Sequence, residues 1–303
     1  MAEQQLATNP SGKFAPERVI KVEKRNYIRI LWDRCRYNKT GVFSLIVIIL
    51  LILIAIFGPV ISPYDYETVD YTALYAKPDA NHWFGCDDSG RDMATLLIYS
   101  LRNALIVGLG AVVVELVIGL IVGSLAGYFG GKIDNILMRV VDIMYGFPTF
   151  LFNIILVLVL GRSLFTIFLA IGLTSWAGMA RLVRSQVLSI KQSDYIEAGR
   201  ALGATNWRII SRYIIPNCIG PLIVSISFSI PNAMMAESGM SLIGMGVMPP
   251  VPSWGGLLAQ GNQYILSAPY RIIFPALSLT ITILAFSSLG DALRDAFDPR
   301  MKR

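Results

Sequence analysis

Long apolar stretches separated by short polar segments run through most of the chain. The first of them, residues 41–61, reads GVFSLIVIILLILIAIFGPVI and contains no charged side chain. A helix needs about 20 apolar residues to cross the roughly 30 Å hydrocarbon core of a bilayer. The pattern therefore predicts an all-α membrane protein with six transmembrane helices, at residues 41–61, 103–127, 139–160, 163–180, 217–236 and 272–289.

The positive charges are distributed unevenly between the two sides that these helices define. Of the 26 Lys and Arg residues, 21 fall on the side that carries both termini and five fall on the other. Because cytoplasmic segments of membrane proteins are enriched in Lys and Arg, we expect both termini to be cytoplasmic. The same rule puts residues 188–216, between the fourth and fifth helices, in the cytoplasm.

This topology divides the chain into five regions. We expect a cytoplasmic N-terminal tail (1–40), a first transmembrane helix (41–61), an acidic extracytoplasmic loop (62–102), a five-helix core that includes the loop 188–216 (103–291), and a cytoplasmic tail (292–303). Apolar and basic side chains mixed over residues 26–39 predict a helix in the headgroup interface. The extracytoplasmic loop is too long for a simple turn, so we expect it to pack on the outer surface.

Composition agrees with a membrane protein and excludes other classes. The chain is 54% apolar and 15% charged, whereas soluble domains carry about 25% charged residues. The net charge of +6 does not indicate a nucleic-acid partner, since the basic residues cluster beside apolar stretches. The scattered cysteines, Cys35, Cys86 and Cys218, indicate neither a disulfide framework nor a metal knuckle. The first 25 residues lack an apolar segment, so no cleavable signal peptide is expected.

The sequence lacks the motifs of a nucleotide hydrolase or of another enzyme. No G-x-x-x-x-G-K-[ST] motif occurs, so the chain has no P-loop. Its one histidine, His82, lies in the stretch HWFGCDD, where a metal site is conceivable. A hydrogen-bonded, solvated loop histidine is the better interpretation, because no second histidine or paired cysteine completes a ligand set. We therefore expect no enzymatic activity, metal or cofactor in this chain.

A glutamate lies in the middle of the second predicted helix. Glu115 shares a helix face with Gly108, Gly119, Gly123 and Gly127. Glycines spaced by four allow another helix to approach closely. An intramembrane carboxyl group usually faces a bundle interior or a water cavity, so Glu115 either lines or gates a path or fixes helix packing. The sequence leaves both alternatives open.

The third predicted helix carries a second carboxylate and a proline. Asp142 lies near its cytoplasmic end, three residues after Arg139, and a local ion pair between them is expected. Pro148 is expected to kink the helix, because proline removes a backbone donor and its ring clashes with the preceding turn.

The polar stretch YIEAGRALGATNWRIISRYIIP (residues 195–216) interrupts two strongly apolar regions. Asp194 is expected to cap a helix that runs to Leu202, with Glu197 at the third position of a capping-box variant. Gly203 fits the glycine that follows a helix C-terminus. Thr205 is expected to cap a second helix through Ile214, which Pro216 would end. The pattern predicts a two-helix platform at the cytoplasmic surface.

This platform resembles the cytoplasmic coupling loop of importer-type ABC-transporter permeases. The family motif is E-A-A, three residues, G, nine residues, then I-x-L-P. The chain has Glu197-Ala198-Gly199, then Gly203, then Tyr213-Ile214-Ile215-Pro216 at matching spacings. The three departures, Gly199, Tyr213 and Ile215, remain small or apolar. Residues 82–105, 126–148, 237–258 and 289–299 further resemble the C-type subunit of the dipeptide/oligopeptide permease group.

The resemblance implies a type I ABC importer permease fold in the inner (cytoplasmic) membrane. It implies a B-type permease partner, one or two cytoplasmic ATPases that bind ATP and Mg²⁺, an extracytoplasmic substrate-binding protein and membrane lipid, but no nucleic acid. Peptides are the expected substrates, and nickel or metal-chelate complexes are the alternative. A third hypothesis is a stand-alone carrier that uses Glu115 for proton coupling.

The resemblance also carries roles to particular residues. The residues expected to couple to the ATPases are Tyr195, Ile196, Glu197, Ala198, Gly199, Arg200, Leu202 and Gly203, with Pro216 where the chain re-enters the membrane. The residues considered for the pathway or its gating are Glu115, Asp142, Pro148 and Glu237.

Overall fold

The computed structural model describes residues 38–297, and the regular structure in that range is helical apart from one isolated bridge between Cys86 and Asp92. The interfacial helix expected at residues 26–39 therefore falls almost wholly outside the described residues, as does the end of the C-terminal tail. The helices are α1 (Lys39–Ile61), α2 (Met93–Phe129), α3 (Gly131–Gly146), α4 (Thr149–Leu160), α5 (Leu164–Lys191), α6 (Asp194–Ala201), α7 (Asn206–Ile209), a π-helical segment (Ile210–Ile214), α8 (Ile215–Leu242), α9 (Trp254–Asn262) and α10 (Tyr270–Phe297).

The described residues contain five helices long and apolar enough to cross a membrane, and a sixth span if α3 and α4 are counted together. The five are α1, α2, α5, α10 and the continuous helix from Asn206 to Leu242. This confirms the all-α membrane fold predicted from the apolar stretches. The side on which each terminus lies stays a prediction.

Several helices extend beyond their predicted ends. Helix α2 begins at Met93 rather than at residue 103, because Asp92 caps it by accepting hydrogen bonds from the Thr95 backbone and hydroxyl at 2.8 Å. The predicted loop 62–102 is therefore shorter, ending at residue 92. Helix α5 continues to Lys191, α8 to Leu242 and α10 to Phe297, which makes the first part of the predicted C-terminal tail helical.

The third span is broken rather than kinked. Helices α3 and α4 meet at an angle of 89°, with Phe147 and Pro148 in extended conformations between them. Proline disfavours the helical conformation of the residue before it, and Phe147 accordingly has φ −89° and ψ 137°. The predicted single helix at 139–160 with a kink at Pro148 is thus wrong, although the proline marks the position of the break.

Close packing between α2 and α5 forms the centre of the bundle. A methyl group added at Gly119 would lie 2.5 Å from the Met179 side chain, and one added at Gly123 would lie 2.5 Å from the Ala180 carbonyl oxygen. Gly172 of α5 approaches Ala111 in the same way, 2.7 Å from its carbonyl oxygen. The expected close helix approach is confirmed. Small residues permit it because they let two backbones come near each other.

The predicted glycine face of α2 serves two partners. Gly119, Gly123 and Gly127 face α5, whereas Gly108 faces Ile230 and Met234 of α8. The single face expected from the sequence is therefore divided between two neighbouring helices. Helix α2 is the element around which α5 and α8 are both arranged.

The alternating helix directions put the loop 62–92 and the segment 243–269 at the same end of the bundle. Tyr270, the first residue of α10, donates a hydrogen bond through its hydroxyl to the Ala76 carbonyl oxygen at 3.3 Å. The buried Arg271 guanidinium lies 4.3 Å from the ring centroid of Tyr264 and 5.7 Å from that of Tyr75. The loop therefore packs on the helix ends, as its length predicted.

We expect Gly123→Ala to destabilise the protein by about 1–3 kcal/mol, because the added methyl group meets backbone that cannot rotate away. The apparent melting temperature of the detergent-solubilised protein measures this. Gly146→Ala is the matched control, since Gly146 is exposed, helical and has no neighbouring atom within 4 Å of an added methyl group. Equal melting temperatures for the two variants would contradict the assignment of Gly123 to a tight helix contact.

Candidate functional site

The candidate site is the platform formed by α6, the turn at Gly203 and α7. Helix α6 begins after Ser193, and Asp194 is its first residue rather than its cap. The Ser193 side chain makes no capping hydrogen bond, so the predicted capping box is wrong. Asp194 and Glu197 still lie in the first turn, where a negative charge is favourable beside the positive end of the helix dipole.

The turn after α6 requires glycine. Gly203 has φ +80°, its backbone N–H donates to the Arg200 carbonyl oxygen at 2.9 Å, and the Ala204 N–H donates to Gly199 at 3.0 Å. These two bonds form a Schellman motif, which satisfies the last carbonyl groups of a helix. A methyl group at Gly203 would meet no atom within 4 Å, so the backbone conformation and not the space selects glycine.

The second helix of the platform does not stop at Pro216. Thr205 caps α7 as predicted, accepting a hydrogen bond from the Arg208 N–H at 3.4 Å. The chain then passes through the π-helical segment Ile210–Ile214 directly into α8. Pro216 is the second residue of α8 and follows the π-helical segment closely, so the donor that proline lacks falls where the backbone changes from π- to α-helical hydrogen bonding. The prediction that Pro216 ends the helix is therefore wrong, because the helix continues without interruption into α8.

The platform has a buried face and an open face. Ile196 is 1% exposed and packs with Ile209, Ile210 and Ile214 in a cluster that includes α5 residues. On the open face, Leu202 is 89% exposed and Tyr195 is 46% exposed. Ile196 thus anchors the platform to the bundle and does not belong to the outward surface, where the sequence had placed it with its neighbours.

Sequence reasoning missed one residue of the open face. Trp207 is 75% exposed, one residue into α7. A large exposed aromatic side chain outside the apolar spans marks an interaction surface, because Trp is enriched where proteins bind each other. The signal was present in the sequence, since Trp207 lies between Asn206 and Arg208 in a polar segment.

The charged side chains of the open face have no carboxylate–guanidinium pair between them. Glu197 is exposed and forms no ion pair within residues 38–297, so the local pair with Arg200 suggested by their spacing does not form. Arg200 instead lies over the ring of Tyr128, with 5.4 Å between the guanidinium carbon and the ring centroid. The Glu197 carboxylate is therefore available to a cation on another protein.

Asp142 pairs with a different partner from the one predicted. Its Oδ1 accepts a hydrogen bond from the Arg181 guanidinium at 2.6 Å, not from Arg139, and both side chains are about half exposed. Asp134 accepts two hydrogen bonds from Arg184, at 2.5 and 2.6 Å. Tertiary packing of α3 against α5 supplies both arginines. The two pairs hold the first half of the broken span to α5, and Pro148 lies at its end.

Glu115 makes a hydrogen bond within the bundle. Its Oε1 accepts from the Ser229 hydroxyl of α8 at 3.0 Å, and the residue is buried. Its role in a pathway stays a prediction. The alternative is a role in helix packing, which this bond between α2 and α8 favours. Glu237 is 2% exposed and accepts from the hydroxyl groups of Ser241 at 2.7 Å and Ser238 at 3.3 Å, and it also interacts with Ser253, the cap of α9; its role in gating stays a prediction.

The loop 62–92 offers no metal centre. No group of three or more His, Cys, Asp or Glu side chains suited to a metal ion occurs in the described residues. His82 Nδ1 lies 3.0 Å from Asp92 Oδ1, and its side chain is 13% exposed, so it is more buried than the solvated histidine we expected.

Burial, with Asp92 and Asp87 nearby, raises the pKa of the Cys86 thiol to about 11, so it stays protonated at neutral pH.

At the same end of the bundle, a cavity of about 270 Å³ is lined by Arg91, Arg162, Gln260 and a proline-rich segment. Arg162 donates to the carbonyl oxygens of Gly244 at 2.6 Å and Gly246 at 2.9 Å. Arg91 pairs with Asp87 at 2.7 Å. These contacts fix both guanidinium groups, which order the loops around the cavity.

The described residues form a helical bundle long and apolar enough to cross a membrane, with a platform that exposes Leu202 and Trp207. The family of binding-protein-dependent transport system inner membrane components matches residues 119–303. The N-terminal transmembrane domain of oligopeptide transport permease C matches residues 26–78. The chain belongs to this family of ABC importer permeases.

Individual relatives agree with this assignment. The chain is 40% identical to the dipeptide transport system permease protein DppC of Bacillus subtilis, over 94% of this chain and 89% of that protein. It is also 40% identical to the oligopeptide transport system permease protein OppC of the same organism, over 89% and 88% of the two chains. A solved structure of the inward-facing MetNI methionine ABC transporter has a TM-score of 0.51 and 18% identity, and covers 67% of this chain and 97% of its own. That likeness supports the fold alone.

Proposed function

We propose that this chain is one of two permease subunits of an ATP-driven importer of dipeptides or oligopeptides. The observation that carries the proposal is the open face of the platform, where Leu202 and Trp207 are exposed beside an unpaired Glu197. An apolar centre with a charge at its margin is the composition of a protein-binding surface. The partner at this surface is a cytoplasmic ATPase, which supplies the ATP and Mg²⁺ chemistry for which the sequence has no P-loop.

The orientation follows from the distribution of charge. The platform lies on the side that carries 21 of the 26 Lys and Arg residues, which the positive-inside rule assigns to the cytoplasm. The loop 62–92 and the segment 243–269 then face outwards, where a substrate-binding protein delivers the peptide. The translocation pathway is completed by a second permease of the B type.

In this mechanism, the platform transmits the movement of the ATPases to the transmembrane helices. When nucleotide binding closes the ATPase pair, the docked platform moves as one body, since the Schellman turn at Gly203 and the buried Ile196 fix its two helices to each other and to the bundle. The continuous π-helical connection carries the displacement into α8. Access to the pathway then changes from the outer side to the inner side.

Substitution at the platform tests this mechanism in the complete transporter reconstituted in proteoliposomes. Glu197→Ala removes the charge at the docking surface, and Gly203→Ala strains the turn by about 1–2 kcal/mol, the cost of a left-handed conformation for a residue with a Cβ atom. We expect each variant to lose ATPase association or to transport at least about five-fold less substrate per ATP hydrolysed, the effect of a typical coupling free energy. Gly203→Pro should be more severe.

Gly161→Ala is the control for backbone strain, because Gly161 also has a positive φ and open space but lies at the opposite end of the bundle. We expect this variant to keep the wild-type number of substrates per ATP. Wild-type uptake and assembly in both the Glu197 and Gly203 variants would show that the platform does not couple the ATPase.

The substrate class is supported by the names of the two Bacillus relatives and is tested at the binding protein. Calorimetric titration of the cognate binding protein with di- and tripeptides, and separately with Ni²⁺ and nickel chelates, should show saturable binding of peptides alone. Tight binding of nickel complexes with no peptide binding would favour the metal-importing alternative.

The stand-alone carrier is a second candidate function because Glu115 is buried in the bundle. It would require uptake by this chain without ATPases, stopped by an uncoupler and unaffected by ATP depletion. A single hydrogen-bonded carboxyl group gives little support for a proton relay, which uses chains of ionisable groups.

A further inference from the structure

Tyr128, in the last turn of α2, contacts both helices of the platform. Its hydroxyl donates a hydrogen bond to Asn206 Oδ1 at 2.7 Å, and Asn206 is the first residue of α7. The Arg200 guanidinium carbon of α6 lies 5.4 Å from its ring centroid. Tyr128 itself is 4% exposed, whereas Asn206 and Arg200 are exposed, so the hydrogen bond is partly buried and lies at the margin of the bundle.

The same tyrosine is bound to the end of α5. Lys191, the last residue of α5, donates from Nζ to the Tyr128 carbonyl oxygen at 2.5 Å and lies 5.6 Å from the ring centroid. One residue earlier, a methyl group at Gly127 would lie 2.8 Å from Val187 Cβ. The ends of α2 and α5 are therefore in direct contact here and cannot move apart without breaking this packing.

The platform is thus joined to the bundle in two different ways. Its covalent continuation through Ile210–Ile214 leads into α8. In the part of the chain that the structure describes, the only side-chain hydrogen bond between the platform helices and α2 is the one from Tyr128 to Asn206. The chain also connects the platform directly to α5, through residues 192–193, so it is α2 that depends on side-chain contacts, this bond among them, to follow a tilt of the platform.

We propose that Tyr128 is a positioning residue that transmits movement of the platform to α2. The inference rests on the proposed docking of an ATPase at the open face of the platform. It assigns Tyr128 a role in coupling and not in docking, because its side chain is only 4% exposed, whereas Leu202 and Trp207 are open to a partner. Loss of the contact should leave ATPase association intact and lower the amount of substrate transported per ATP hydrolysed.

The test uses the complete transporter in proteoliposomes and measures substrate transported per ATP hydrolysed. Tyr128→Phe deletes one hydrogen bond and keeps the ring, so we expect the ratio to fall about two- to ten-fold, the effect of one partly buried hydrogen bond. Tyr128→Leu also removes the ring over which Arg200 and Lys191 lie, and should lower the ratio further. Co-purification of the ATPase should match wild type in both variants.

Two further variants separate coupling from a general loss of structure. Asn206→Ala should lower the ratio as much as Tyr128→Phe, and the double variant should be no worse than either one, because all three lack the same bond. Tyr71→Phe is the matched control, since Tyr71 is 80% exposed in the loop 62–92, and it should keep the wild-type ratio.

An unchanged ratio in Tyr128→Phe and Tyr128→Leu would overturn the inference. A parallel fall of ATP hydrolysis and uptake would overturn it too, because a purely structural role lowers the amount of active transporter and leaves the ratio constant. If the Glu197 and Gly203 variants uncouple the transporter while the Tyr128 variants do not, the proposed function stands and only this inference fails. If the ATPase does not associate with the platform at all, the proposed function fails first.

Discussion

The close approach of α2 and α5 is the contact on which the remaining structure depends. Gly119, Gly123 and Gly127 let the two backbones meet at distances that no larger side chain would allow. In a membrane, lipid tails are as apolar as the side chains, so helix association relies on such packing and on hydrogen bonds between helices. The pair forms a stable centre against which the broken third span, α8 and the platform are positioned.

The broken third span and the platform are each attached to this centre by a distinct interaction. Asp134 and Asp142 of α3 pair with Arg184 and Arg181 of α5, and Tyr128 of α2 contacts the platform. The polar contacts lie towards the end of the bundle that carries the platform, where the side chains can reach water as well as each other. In the proposed mechanism, these contacts let a platform outside the apolar core act on the helices within it.

Local signals in the sequence were sufficient where one segment determines its own conformation. The apolar stretches predicted the spans, the spacing of glycines predicted close packing, and Gly203 and Thr205 were placed correctly at their helix ends. The spans and the helix ends depend on neighbours within a few residues, and the glycine spacing marks a face on which a distant helix can pack. The resemblance of the 195–216 segment to the coupling loop added the class of protein, which family membership of the chain confirms.

The sequence was insufficient where a distant partner decides the outcome. Asn103, predicted to be the first residue of its helix, lies inside α2 because its polar side chain finds a distant partner, the Pro252 carbonyl oxygen at 2.8 Å. Asp142 has Arg139 nearby in sequence but pairs with Arg181 across helices. Pro148 signalled a distortion, yet only packing of α3 and α4 against α5 and α8 sets the 89° angle. Ile196 and Trp207 differ in burial because of the helices beneath them.

The central claim is that the open face of the platform binds an ATPase, and photo-crosslinking tests it most directly. In the complete transporter in membranes, a photoreactive benzoylphenylalanine would replace Leu202, which is 89% exposed. The matched control position is Leu266, which is 97% exposed and lies in the segment 243–269 at the other end of the bundle. Illumination should join the chain covalently to the ATP-binding subunit from position 202 and not from position 266. Crosslinking of that subunit from position 266, or from neither position in an assembled and active transporter, would contradict the account.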